Sequence, residues 1–109
     1  MSDIDFTLKS LPMLLTRNSS QDWKEMILTR TSVLMNFLKN NELLISVEPF
    51  DEKGQLKQDL IVKKSNVTDE GLELFKKTIP NWEKYLDKNG TVENISILEK
   101  GLAKIRNIK

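Results

Sequence analysis

The sequence predicts an α+β fold: a mostly helical single domain over 1–109 that carries one antiparallel β-hairpin. Three features predict it. Two long segments repeat apolar residues at helical spacing, and two shorter ones alternate on either side of an Asp-Glu-Lys-Gly turn. A Val-Thr-Asp-Glu stretch then marks a firm helix start directly after the second of these. A chain of 109 residues supports one real core but not two.

In chain order, Ile4, Phe6 and Leu8 alternate, as a brief strand or an extended arm lying on the core would. SLPMLLTR, residues 10–17, reads as a short helix capped by Ser10, with Pro12 in the first turn where it is tolerated. After the polar Arg17-Asn18-Ser19-Ser20, either serine caps a helix running to about Lys39. Its buried stripe is Trp23, Met26, Ile27, Val33, Leu34, Phe37 and Leu38. Glu42–Phe50 is β-like, with Leu43, Ile45 and Val47 on one face. Asp51-Glu52-Lys53-Gly54 makes the turn, Gly54 supplying the left-handed position, and Leu56–Lys64 returns as the partner strand. Pro49 cannot donate to a ladder, so it belongs at a strand end or an edge.

Thr68 is the expected N-cap of the next helix, with Val67 and Leu72 placed as a hydrophobic staple. Leu72, Phe75, Ile79, Trp82 and Leu86 share a face through Pro80, which favours one kinked helix over two separate ones. Asn89-Gly90 is its stop. Thr91 is then expected to cap a last helix with Val92, Ile95, Leu98, Leu102 and Ile105 inward. Gly101 signals close approach to another backbone.

Composition narrows the chemistry. With 39% hydrophobic and 30% charged residues, the balance is that of an ordinary soluble globular protein. No apolar run is long enough to span a membrane. The opening MSDIDFTLKS starts acidic and lacks a continuous apolar core, so no signal peptide is expected. The absence of cysteine suits a reducing cytoplasm. Without histidine or cysteine, the usual base, nucleophile and zinc ligands are missing. The four glycines stand apart, so no phosphate loop exists, and Glu48, Asp51 and Glu52 match no calcium loop. The expectation is therefore a non-enzymatic protein with no catalytic residues, no cofactor and no metal.

Net charge is +1, and only residues 91–109, with four basic and two acidic residues, lean clearly basic. Nucleic-acid binders concentrate positive charge because phosphate neutralisation supplies most of their affinity, and this chain does not. Lys53, Lys57, Lys63 and Lys64 on the hairpin are interspersed with Asp51, Glu52 and Asp59, which suits edge protection better than a phosphate contact. Trp23 and Trp82 fall on inward faces and read as core. Glu42, Glu48, Asp51, Glu52 and Asp59 form an acidic group around the hairpin. They read either as solubilising charge or as a surface for a basic partner. From that group, Glu48, Asp51, Glu52 and Asp59 are the candidate partner-binding residues, together with Tyr85 at the margin of its helix stripe.

Asn66-Val67-Thr68-Asp69-Glu70-Gly71-Leu72-Glu73-Leu74-Phe75 resembles the segment that follows the wing in bacterial winged-helix regulators. That resemblance covers about ten residues and implies a winged-helix-like arrangement. The long helix over 21–39, with Lys24 and Arg30, would then have to read DNA. Its apolar content and Glu25 suit that role poorly. As a type, a small, cysteine-free, charge-balanced chain without catalytic groups also resembles bacterial immunity proteins and antitoxins. That resemblance implies a cytoplasmic protein that neutralises a cognate toxin, such as a nuclease, by direct occlusion. The alternative is a winged-helix transcriptional regulator, homodimeric through its terminal helices and bound to DNA. Even charge mixing places the protein binder first.

Overall fold

The computed structural model describes residues 5–107. About 58% of the described residues are helical, and two strands pair antiparallel, so the α+β class is observed. Ile4, the first residue of the expected N-terminal alternation, lies outside the described residues. The chain divides between Val67 and Thr68 into two compact units.

The first unit opens with strand β1 (Thr7–Ser10), followed by helix α1 (Leu11–Thr16) and helix α2 (Gln21–Asn40). Ser10 and Ser20 cap the two helices, accepting from Met13 N at 3.3 Å and Trp23 N at 3.4 Å. Trp23, read as core, is only half-buried; its indole Nε1–H donates to Leu14 O at 2.9 Å, tying α2 back to α1. The buried face of α2 is Ile27, Thr31, Leu34, Met35, Phe37 and Leu38. Of the stripe read from the sequence, Ile27, Leu34, Phe37 and Leu38 are buried while Met26 and Val33 are half-buried; Thr31 and Met35, one and two turns beyond Ile27, fill the rest of the face.

α2 ends in a Schellman motif without glycine. Leu43 N donates to Leu38 O at 2.9 Å, Glu42 N to Lys39 O at 3.1 Å, and Glu42 takes the left-handed position at φ 59°. This corrects the expected strand over Glu42–Phe50. Its first residue is spent ending the helix, and Ser46 at φ 53° reverses the pleat again. What remains are two isolated bridges, Leu44 to Val67 and Phe50 to Leu56. Strand β2 (Ile61–Lys63) therefore pairs with β1, with Thr7 opposite Lys63 and Ser10 opposite Ile61 and an irregularity between Thr7 and Lys9. The extended arm is the partner strand, and the expected hairpin keeps only its tip. A short 3-10 turn at Lys64–Asn66 closes the unit.

The second unit begins with the expected cap: Thr68 Oγ1 accepts from Gly71 N at 3.2 Å. Helix α3 (Asp69–Glu73) runs through a π-helical turn (Leu74–Thr78) into helix α4 (Ile79–Asp87) without interruption. In the wide turn, Ile79 N donates to Leu74 O. An ordinary turn would press the Pro80 ring against the Lys76 carbonyl, and widening the helix just before Pro80 relieves that contact. α4 ends in a second Schellman motif, Gly90 N to Tyr85 O at 3.0 Å and Asn89 N to Leu86 O at 3.1 Å. Here Asn89, at φ 70°, is the left-handed residue. A Cβ on Gly90 would stand 2.5 Å from Tyr85 Cε2, so Gly90 is needed for space.

Helix α5 (Ser96–Asn107) starts four residues later than a cap at Thr91 would set it. The Tyr85 hydroxyl accepts from Thr91 N at 3.1 Å, and Thr91 O accepts from Asn94 N at 3.0 Å. Those bonds make 91–94 a turn folded over Tyr85. Asn94 Oδ1 then accepts from Ser96 N at 3.2 Å. Gly101 meets the side chain of Thr78, where the sequence suggested another backbone.

Candidate functional site

The hairpin tip is fixed by its own hydrogen bonds. Asp51 N donates to Gln55 O at 2.8 Å, Gly54 N to Asp51 O at 2.9 Å and Lys57 N to Pro49 O at 2.9 Å. Asp51 Oδ1 accepts from Lys53 N at 2.8 Å and Gln55 N at 3.0 Å, which makes Asp51 a turn former. Gly54, at φ 80°, supplies the left-handed position the sequence calls for. Beside the tip, both Glu48 carboxylate oxygens accept from Lys39 Nζ, at 3.0 and 3.1 Å, and Oε2 also accepts from Phe50 N at 3.1 Å. The Lys39 ammonium stands 5.8 Å from the centre of the Phe50 ring, within cation–π range.

These groups line an open hollow of about 930 Å³ between the end of α2 and the turn, with Asn36, Lys39, Glu48, Phe50, Asp51 and Glu52 among its walls. The structure thus brings together three of the five candidate residues, Glu48, Asp51 and Glu52. Asp59 is exposed in the turn before β2 and does not line the hollow. Tyr85 belongs to the second unit, and its hydroxyl accepts from both Thr91 N and Asn94 Nδ2 at 3.1 Å. Glu52 and Asp59 are exposed and make no hydrogen bond or ion pair with a described residue, so their carboxylates point their full charge at solvent. Sequence reasoning missed Lys39 and Phe50 as partners of Glu48, because nine residues and a helix end separate Lys39 from it.

A second carboxylate latch sits in the same unit. Asp5 accepts from Ser65 N at 2.9 Å and from Ser65 Oγ at 2.8 Å, pinning the N-terminal arm to the 3-10 turn. The Ser65 bonds, with Lys63 and Lys64 nearby, hold the Asp5 carboxyl below its ordinary 3.8. The Lys39 ammonium, the Phe50 N–H and the Lys57 charge hold Glu48 below its ordinary 4.5.

Both folded values lie beneath the unfolded ones, so the unfolded chain binds more protons in acid. The stabilisation is complete above the ordinary values and is lost as pH falls through the folded ones. The urea midpoint should therefore drop less between about pH 6 and about pH 3 in the D5N/E48Q double variant than in the wild type. An equal drop would show that neither latch contributes.

Among the described residues, no group of three or more acidic side chains is placed to hold a metal ion, and no helix is long and apolar enough to cross a membrane. Comparison with protein-family models, with curated proteins and with solved structures finds no match for this chain.

Proposed function

We propose that this chain is a non-catalytic protein-binding module, of the immunity type, that neutralises a cognate toxin in the cytoplasm by occluding its working surface. The observation that carries this reading is the hairpin tip. Its backbone is held by three main-chain bonds and a doubly accepting Asp51, while Glu52 beside it stays unpaired. A loop fixed before binding loses little entropy on association, and free carboxylates at its crest steer a basic partner. Phe50, half-buried in the hollow wall, supplies an aromatic anchor of the kind that dominates interface energetics. A basic enzyme surface, such as the substrate groove of a nuclease, has the charge that fits.

The test is co-expression with the product of the adjacent gene. The expected result is rescue of growth and a co-purifying complex. Glu52→Lys with Asp59→Lys should slow association at least about tenfold, with a smaller change in dissociation. If the adjacent product is harmless, or remains toxic with this chain present, the reading fails. Salt-sensitive binding to random duplex DNA would replace it with the regulator reading.

A further inference from the structure

The second unit carries a groove that the toxin reading does not use. It runs between the π turn and α5 and has a volume of about 1040 Å³. At its base, Thr78 packs against Gly101 with no α5 side chain between them. Ile97 and Ile105, one turn before and one turn after Gly101 on α5, are half-buried and flank that floor. They form a second apolar line on α5, distinct from the buried Leu98 and Leu102. Lys77 on the π turn and Lys100 and Lys104 on α5 stand on the rim, all exposed. None makes an ion pair with a described residue. Glu73 is the one acidic side chain lining the groove, and it pairs with Lys76 at 3.7 Å.

We propose that this groove between the π turn and α5 docks an acidic amphipathic helix of a partner protein, its apolar face on Ile97, Thr78 and Ile105 and its carboxylates against Lys77, Lys100 and Lys104. The occupant follows from the chemistry of the walls. An apolar floor asks for an apolar face, and three uncompensated ammonium groups on the rim ask for carboxylates beside it. A phosphate backbone would use the lysines but leave the isoleucine floor uncovered, so the combination favours an acidic protein helix over nucleic acid. This inference stands apart from the toxin reading, because it uses a different unit and the opposite charge.

The probe is a synthetic helical peptide with leucines at i, i+4 and i+7 flanked by glutamates. Controls are the same peptide with lysine in place of glutamate, and random duplex DNA. Binding to the full chain is read by amide chemical shifts and by fluorescence anisotropy. The glutamate peptide should bind, shift Thr78, Ile97, Gly101 and Ile105, and weaken with added salt. The K100E/K104E variant should lose at least about tenfold in affinity for it and gain affinity for the lysine peptide. Both lysines are exposed, so the fold tolerates the change, and the gained lysine-peptide binding distinguishes charge reversal from damage. Equal binding of both peptides, shifts confined to other residues, or tighter binding of the DNA would each overturn the proposal.

Discussion

Replacing Trp82 by alanine is expected to cost about 3–5 kcal/mol, the range for emptying a buried aromatic site. Trp82 is 1% exposed and is the largest fully buried side chain among the described residues. A domain of this size has a total stability of about 5–15 kcal/mol, so this single change removes a large share of it. Chemical denaturation followed by circular dichroism reads the loss as a lower midpoint at unchanged slope. Trp82→Phe should behave very differently. The Trp82 Nε1–H is buried and finds no acceptor among the described residues. Replacing the indole by phenyl deletes that desolvated donor, a group that costs about 1–3 kcal/mol when left unsatisfied, and this offsets part of the lost volume. With the deleted donor offsetting part of the lost volume, the phenylalanine variant is expected within about 1.5 kcal/mol of wild type. A phenylalanine penalty as large as the alanine one would mean that the indole N–H is partnered after all.

The second large effect belongs to Gly101. In an exposed helix a glycine is a weakness, and alanine there would gain about 1 kcal/mol of propensity. Here the sign reverses. A Cβ at 101 would lie 2.9 Å from Thr78 Cβ and closer still to Thr78 Cγ2 and Oγ1, and Thr78 is itself buried. Gly101→Val should destabilise by about 1–3 kcal/mol through overpacking, and Gly101→Ala should at best break even. Trimming the neighbour is the check. Thr78→Ala removes Cγ2 and Oγ1 but leaves Cβ, so it should rescue part of the Gly101→Ala loss. The double variant would then be more stable than the sum of the single changes by about 0.5 kcal/mol or more. Strict additivity would show that the two residues do not touch in solution.

Helix boundaries were legible in the sequence wherever a side chain bonds a backbone group three residues away. Ser10, Ser20 and Thr68 all cap as their spacing suggests, and Gly54 turns the hairpin tip. The strand pairing was not legible. The alternation of Leu43, Ile45 and Val47 looks as strand-like as that of Ile4, Phe6 and Leu8. What decides between them is the left-handed backbone of Glu42 and Ser46, which neither residue type announces. Thr91 shows the same limit at the start of α5. Its spacing is that of a cap, yet the Tyr85 hydroxyl claims its N–H from six residues back.

The candidate surface was legible in its charges and not in its geometry. The sequence marks Asp51 and Glu48 as acidic, but only the fold shows that one builds the turn and the other is held by Lys39. Glu52 and Asp59 are left as the free carboxylates. The groove beside Gly101 does leave a trace, since Ile97, Gly101 and Ile105 recur every fourth residue. A line of that kind is hidden when a stronger one, Leu98 and Leu102, runs next to it.

The close of α4 also bears on how this molecule ages. An asparagine followed by glycine is the pair most prone to deamidation, because the glycine nitrogen can attack the asparagine side chain to form a cyclic imide. In the folded chain that nitrogen, Gly90 N, is occupied in its bond to Tyr85 O, and Asn89 is held in one conformation by the reversal of the helix. Imide formation at Asn89 must therefore wait for this helix end to fray, so the rate at which the chain gains that negative charge on storage is a clock for local opening.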